Sequence, residues 1–172
     1  MIIYNQAYDL YYAIFRLLQF LNRFEEESII EVERFRIWDF YYLFPYKILS
    51  IKLKRNESEI RKVIKNSIER SQNPYEKITD ERKIFEKIKP YQIAALNCIA
   101  SYGIIDKSIL SQQRISIINK NILNDFVSKG EELSAIEKNV INLMTLYFNQ
   151  IPLFGTDGLK SRTNLMESQY DA

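Results

Sequence analysis

Apolar positions along the first 70 residues fall at helical spacing. Leu10, Ile14, Leu17, Leu18 and Leu21 stand at i, i+4, i+7, i+8 and i+11, one face of a helix predicted over Ala7 to Phe24. Tyr11, Tyr12, Phe15 and Phe20 cover much of its remaining surface, so this helix is central to the fold or shared with a partner. A second helix is predicted from about Ile30 to Phe44 and stops at Pro45, whose ring forbids continuation. Ile30, Ile37, Tyr41 and Phe44 make one stripe of it and Val32, Phe35 and Tyr42 another. Between the stripes Arg36 and Asp39 are expected to pair on the surface, a contribution of only ~0.2–0.5 kcal/mol. Trp38, the one tryptophan, suits either a core or an interface anchor. A third helix carries Ile60, Val63, Ile64 and Ile68 on its buried stripe, and Asn56 with Glu59 reads as its cap.

Ser71-Gln72-Asn73-Pro74 is the clearest break, dividing an aromatic-rich helical region at 1–73 from a region at 74–172 with another rhythm, the two expected to form one compact unit. Thr79-Asp80-Glu81 opens a short helix with the stripe Ile84, Phe85 and Ile88, and Pro90 suits the first position of a further helix through Ala100. Gly103 is the expected left-handed stop, with Ile104 folding back on the last turn. A short helix at Asp106 to Leu110, a strand at Arg114 to Ile118 and a helix through Ile122, Leu123, Phe126 and Val127, stopped by Gly130, follow. Ser134 with Glu137 is a capping box opening a long final helix whose stripe runs from Ile136 to Phe148. The expected fold is mainly α: a helical N-terminal half, then a winged-helix-like module with at most a small β element.

Composition narrows the chemistry. Only 4 Gly and 4 Pro interrupt 172 residues, which favours long helices. Lys and Arg number 24 against 22 Asp and Glu, so the net charge of +2 gives no global attraction to nucleic acid or anionic membrane. There is no histidine, which removes the usual general base and the common Ser or Cys triads. The single cysteine, Cys98, excludes an internal disulfide and a Cys-cluster zinc site, and its apolar helical setting reads as core. Glu25-Glu26-Glu27 reads as a solvated helix end rather than a metal site, because consecutive helical positions diverge. Neither catalytic residues nor a cofactor or metal is expected. The longest charge-free run, Asn139 to Thr156, is 18 residues but is broken by Asn142, Asn149, Gln150 and Pro152. With no basic leader at Met1 to Gln6, a cytoplasmic protein without a membrane span is expected.

Two segments keep functional interest. From Lys52 to Arg70 there are seven basic residues (Lys52, Lys54, Arg55, Arg61, Lys62, Lys65, Arg70) against three acidic ones. With Lys107 and Arg114 of the second half, all but Arg70 are candidate nucleic-acid contacts, although a solvated helix face explains them as well. The tail from Gly155 to Asn164 lacks the order of a phosphate-binding P-loop. It is expected to dock as an ordered loop, with Gly155 and Gly158 at positive φ and Lys160 and Arg162 anchoring it to carboxylates or to a partner.

Three stretches also carry a resemblance: Ile3-Tyr4-Asn5-Gln6-Ala7-Tyr8-Asp9, Arg36-Ile37-Trp38-Asp39-Phe40-Tyr41-Tyr42-Leu43-Phe44-Pro45, and Gly155-Thr156-Asp157-Gly158-Leu159-Lys160-Ser161-Arg162-Thr163. Together they resemble the middle component of bacterial ABC three-component systems, the group that includes Lamassu-type anti-phage defence. The resemblance implies an accessory subunit that binds an SMC/Rad50-like ABC ATPase and helps hold an effector, often a nuclease, inactive until foreign DNA is sensed. The candidate partner interface is then Tyr11, Tyr12, Phe15, Trp38, Tyr42 and Phe44 with Gly155, Asp157, Gly158, Lys160 and Arg162 of the tail. Two other readings stay open: a winged-helix transcriptional regulator using Asp106 to Gln113 as recognition helix, and an antitoxin-like protein neutralising a neighbour. The adaptor is preferred, because that helix offers only Lys107, Gln112 and Gln113 to base edges. DNA is then bound weakly or only within the complex.

Overall fold

The structure is a computed structural model, and it describes residues 5–69 and 78–167. The break expected at 71–74, Arg70 and the first residues of the opening motif lie outside the described residues. The chain forms two compact units, and each takes two separate stretches of sequence: Met1–Asp39 with Lys87–Glu132, and Phe40–Glu86 with Leu133–Ala172. The chain passes between the units at 39/40, 86/87 and 132/133.

The first unit opens with a single 3-10 turn, Gln6–Tyr8, followed by helix α1 over Leu10–Leu21. Asp9 sets that start by accepting from the Tyr12 N–H at 2.7 Å, so the helix begins three residues later than the apolar pattern suggests. Ile29–Glu31 form strand β1, followed directly by α2, Val32–Leu43. Here the expected helix from Ile30 is corrected. The β-branched pair Ile29-Ile30 is drawn into an antiparallel ladder with β2, Arg114–Ser116, in the register Ile29 with Ser116, Ile30 with Ile115 and Glu31 with Arg114. The Val32 N–H, an orphan donor at the new helix start, reaches the Gln113 carbonyl at 3.0 Å.

Helix α4, Glu81–Ser101, is continuous through Pro90, which sits exposed inside it instead of opening a second helix. The reason is an unbroken buried stripe, Phe85, Ile88, Gln92, Ala95, Leu96 and Ile99, whose burial outweighs the proline penalty. Gly103 does end this helix in the left-handed region, φ 75°, with the Gly103 N–H on Ala100 O and the Ile104 N–H on Ile99 O. Asp106 caps the short helix α5, Lys107–Ser111, and α6 spans Lys120–Lys129 and packs on α1. Because β2 pairs with upstream β1 and with no following strand, no wing hairpin forms among the described residues. Trp38 lies at the centre of this unit, fully buried, with Phe20, Phe24 and Phe35 at centroid distances of 5.4–5.9 Å.

The second unit holds a 3-10 segment at Pro45–Ser50, α3 over Ser58–Ser67, and α7 over Ala135–Asn142. The Ser134–Glu137 capping box has both of its hydrogen bonds. The expected Asn56–Glu59 cap is absent; Glu57 accepts instead from the Lys54 N–H at 2.7 Å, and α3 starts without a side-chain cap. The long final helix is also corrected: it widens to a π turn at Leu143–Tyr147, then tightens to a 3-10 turn at Phe148–Gln150. Thr145 donates its hydroxyl to the Ile141 carbonyl at 2.8 Å, the side-chain bond that competes with helical pairing. Helix α8, Leu159–Thr163, ends at Asn164 in the left-handed region. α3 packs on the Pro45–Ser50 segment, on α7 and on the π turn, around a core that includes Ile48, Ile64, Val140 and Met144. No helix among the described residues is long and apolar enough to cross a membrane.

Candidate functional site

The aromatic set splits by burial. Tyr11 is 82% exposed on α1, whereas Tyr12 and Phe15 are half-buried and stacked on each other at 5.8 Å. Trp38 and Tyr42 are interior side chains, so in this fold neither can present its ring to a partner. Phe44 is half-buried, 5.1 Å from the Phe40 ring.

The first unit also holds a polar cluster that sequence reasoning missed. Arg16 donates from Nε to Asp39 Oδ1 at 2.6 Å and from a terminal nitrogen to Oδ2 at 3.0 Å, and both side chains are fully buried. Gln92 Nε2 donates to Asp39 Oδ2 at 2.9 Å, and its Oε1 accepts from Arg36 Nε at 3.0 Å. The expected surface pair Arg36–Asp39 is thereby overturned: both residues are buried, and Gln92 bridges them. Two signals pointed here. Arg16 is the one charge in a helix apolar nearly all round, and Gln92 interrupts the apolar stripe of α4. A buried charge needs a partner.

The tail is drawn together in the second unit. Gly155 has φ 92°, as expected, but Gly158 has φ −73°. Its glycine is required by space: a Cβ there would collide with the Phe154 carbonyl oxygen and come within 2.8 Å of Leu153 O. The Leu159 N–H donates to Pro152 O at 2.8 Å, folding the loop back on itself. Arg162 then reaches both Glu57 oxygens from one terminal nitrogen, at 2.9 and 2.8 Å, and donates from Nε to Asp157 O at 2.6 Å. The Lys52 N–H donates to Arg162 O, and Lys54 Nζ pairs with Asp157 at 2.7 Å. Lys160 is buried with its ammonium 5.1 Å above the Phe154 ring. Burial works against the Glu57 carboxylate, yet the bonds from Arg162 and from the Lys54 N–H, with the field of both cations, hold its pKa below the ordinary 4.5. The hydrogen bond from Lys54, with its charge, holds the Asp157 carboxyl low as well. Glu57 was legible only as one acid in a basic stretch.

The cations otherwise point outward. Lys52, Arg55, Arg61, Lys62 and Lys65 are exposed in the second unit, while Lys54 is held by Asp157. Lys107 and Arg114 are exposed in the first. There Lys107 stands at the edge of a cavity of about 300 Å³ lined by Val32, Ile93, Leu96 and Leu110. The Glu25–Glu27 stretch is a turn, Glu27 having φ 65°, in which Glu26 accepts from the Lys120 N–H. Among the described residues no group of three or more His, Cys, Asp or Glu is placed to hold a metal ion.

The arrangement therefore offers surfaces and clamps: an exposed tyrosine on α1, a locked tail loop, and a cationic face around α3. Comparison with known proteins adds a family match. The family model described as ABC-three component (ABC-3C) system Middle Component 5 matches residues 2–171. No curated protein and no solved structure matches the chain.

Proposed function

The chain belongs to the ABC-three component (ABC-3C) system Middle Component 5 family, and on that premise we propose that it is a non-catalytic accessory subunit of a Lamassu-like anti-phage defence complex. In this reading it joins an SMC/Rad50-like ABC ATPase to an effector such as a nuclease, in the cytoplasm. The observation that carries the proposal is the extent of the family match, residues 2–171, because the likeness then covers both compact units and the tail loop. In this reading the exposed side chains Tyr11, Tyr102, Leu146 and Phe154 are apolar groups that a partner would cover. The exposed cations Lys52, Arg55 and Lys62, with Lys107 and Arg114, would touch DNA only when the ATPase holds it, since a net charge of +2 provides little field of its own.

Co-expression with the ATPase and effector components of the same system, followed by size exclusion, tests the reading. Co-elution as a stable complex is expected; a well-folded monomer that never co-elutes with either would overturn it. The free subunit is expected to bind random-sequence and upstream-region duplexes equally, in the non-specific range of ~10⁻⁴–10⁻⁶ M and with strong salt dependence. Nanomolar, salt-tolerant preference for one duplex would make the protein a repressor instead.

A further inference from the structure

Between the 3-10 segment Pro45–Ser50 and α3 lies a groove of about 400 Å³ within the second unit. Ile48, Ile51 and Ile64 form its buried floor, and Leu53 a half-buried wall. Leu49, 39% exposed, stands at its open side. Among the described residues two cations line it, Arg61 and Lys65, one turn of α3 apart, and no carboxylate does. Among the described residues Lys65 makes no ion pair, and the side-chain bond of Arg61 is a long one, 3.4 Å to the Lys54 carbonyl. Of the acids around it, Glu57 is held by Arg162 and Asp157 by Lys54, and Glu69 lines the adjoining pocket beyond Lys65 and not this groove.

Resting on the accessory-subunit reading, we propose that this groove is the docking site for an acidic amphipathic segment of a partner component. Apolar anchors of that segment occupy the Ile48–Ile64 floor, and its Asp or Glu side chains meet Arg61 and Lys65. The charge arrangement selects the occupant. A phosphate backbone gains nothing from an aliphatic floor, and a second copy of this groove would set cations against cations. A helix with apolar residues at i, i+3 or i+4 and acids beside them satisfies floor and rim together. Among the cations offered to nucleic acid, Arg61 and Lys65 are set apart by this floor, whereas Lys62 on the same helix does not line the groove.

The experiment uses the full chain co-expressed with the ATPase and effector components of its system, with Kd measured against each purified component. The double charge reversal Arg61→Glu with Lys65→Glu and the single Leu49→Glu are each expected to weaken one component's binding by about tenfold or more. Glu59→Lys, on the exposed side of the same helix and not lining the groove, should leave it unchanged, and all variants should melt with the wild type because the altered side chains are exposed. A photocrosslinker at position 49 is expected to mark a segment of that component with helically spaced apolar residues and acids. Wild-type affinity in both groove variants overturns the inference while leaving the accessory role standing. So does a crosslink to a second copy of this chain, or loss of DNA binding with assembly intact. Failure of the wild-type chain to bind either component overturns both.

Discussion

Each unit holds an arginine–carboxylate clamp, and the two clamps differ in depth. Arg16 and Asp39 meet through paired hydrogen bonds with neither side chain exposed, inside a network completed by Gln92. Arg162 and Glu57 meet at the edge of the second unit, 8% and 17% exposed, and the arginine also ties down the backbone of its own loop. The first clamp is a folding condition, because every removal of one partner strands the other away from water. The second is a latch on the tail: water reaches it, so it holds a loop in place at lower cost when broken. A surface pair of the same chemistry, Lys54 with Asp157, completes the gradient at 44% and 70% exposure.

The sharpest way to break this comparison is Asp39→Ala, which leaves the Arg16 guanidinium buried without its carboxylate. A loss of about 3–5 kcal/mol in unfolding free energy is expected by denaturant titration. A loss no larger than that of the second clamp would show the interior cluster to be hydrated. Arg162→Ala should cost less, about 1.5–3 kcal/mol, with early proteolysis confined to the tail. The same clamp has a pH signature. Because the folded-state pKa of Glu57 is held below 4.5, its stabilisation is complete above the unfolded value and is lost as the pH falls through the folded one. Melting temperatures measured from pH 6 downward should therefore decline in wild type below about pH 4.5, less steeply in Arg162→Ala. The smallest effect belongs to Lys54→Met: with both partners largely in water, its melting curve should overlay that of the wild type.

Much of the fold was legible in local spacing. Gly103 and the Ser134–Glu137 box mark helix ends where they were read, because caps act within four residues of themselves. The tail loop was legible in outline: Gly155 takes its positive φ, and Arg162 finds a carboxylate. Its partner was not legible, since Glu57 lies 105 residues away. Gly158 was misread: its φ is −73°, and what requires glycine there is the close approach of the Phe154 and Leu153 carbonyls. The interior cluster was misread because its partners are far apart in sequence. Arg36 and Asp39 look like a surface pair at i, i+3, but Arg16 is 23 residues from Asp39 and Gln92 is 53.

What the sequence by itself determined is the local grammar: helical periods, caps, stops, the near-neutral charge and the absence of histidine. The tertiary structure alone decided that Ile29–Glu31 is a strand, that α4 runs through Pro90, that Trp38 is interior and that two units exchange chain. The physical reason is range. Propensity and capping act within a turn or two, worth about 1 kcal/mol each, whereas strand pairing and burial are settled by residues far apart in sequence and outweigh them.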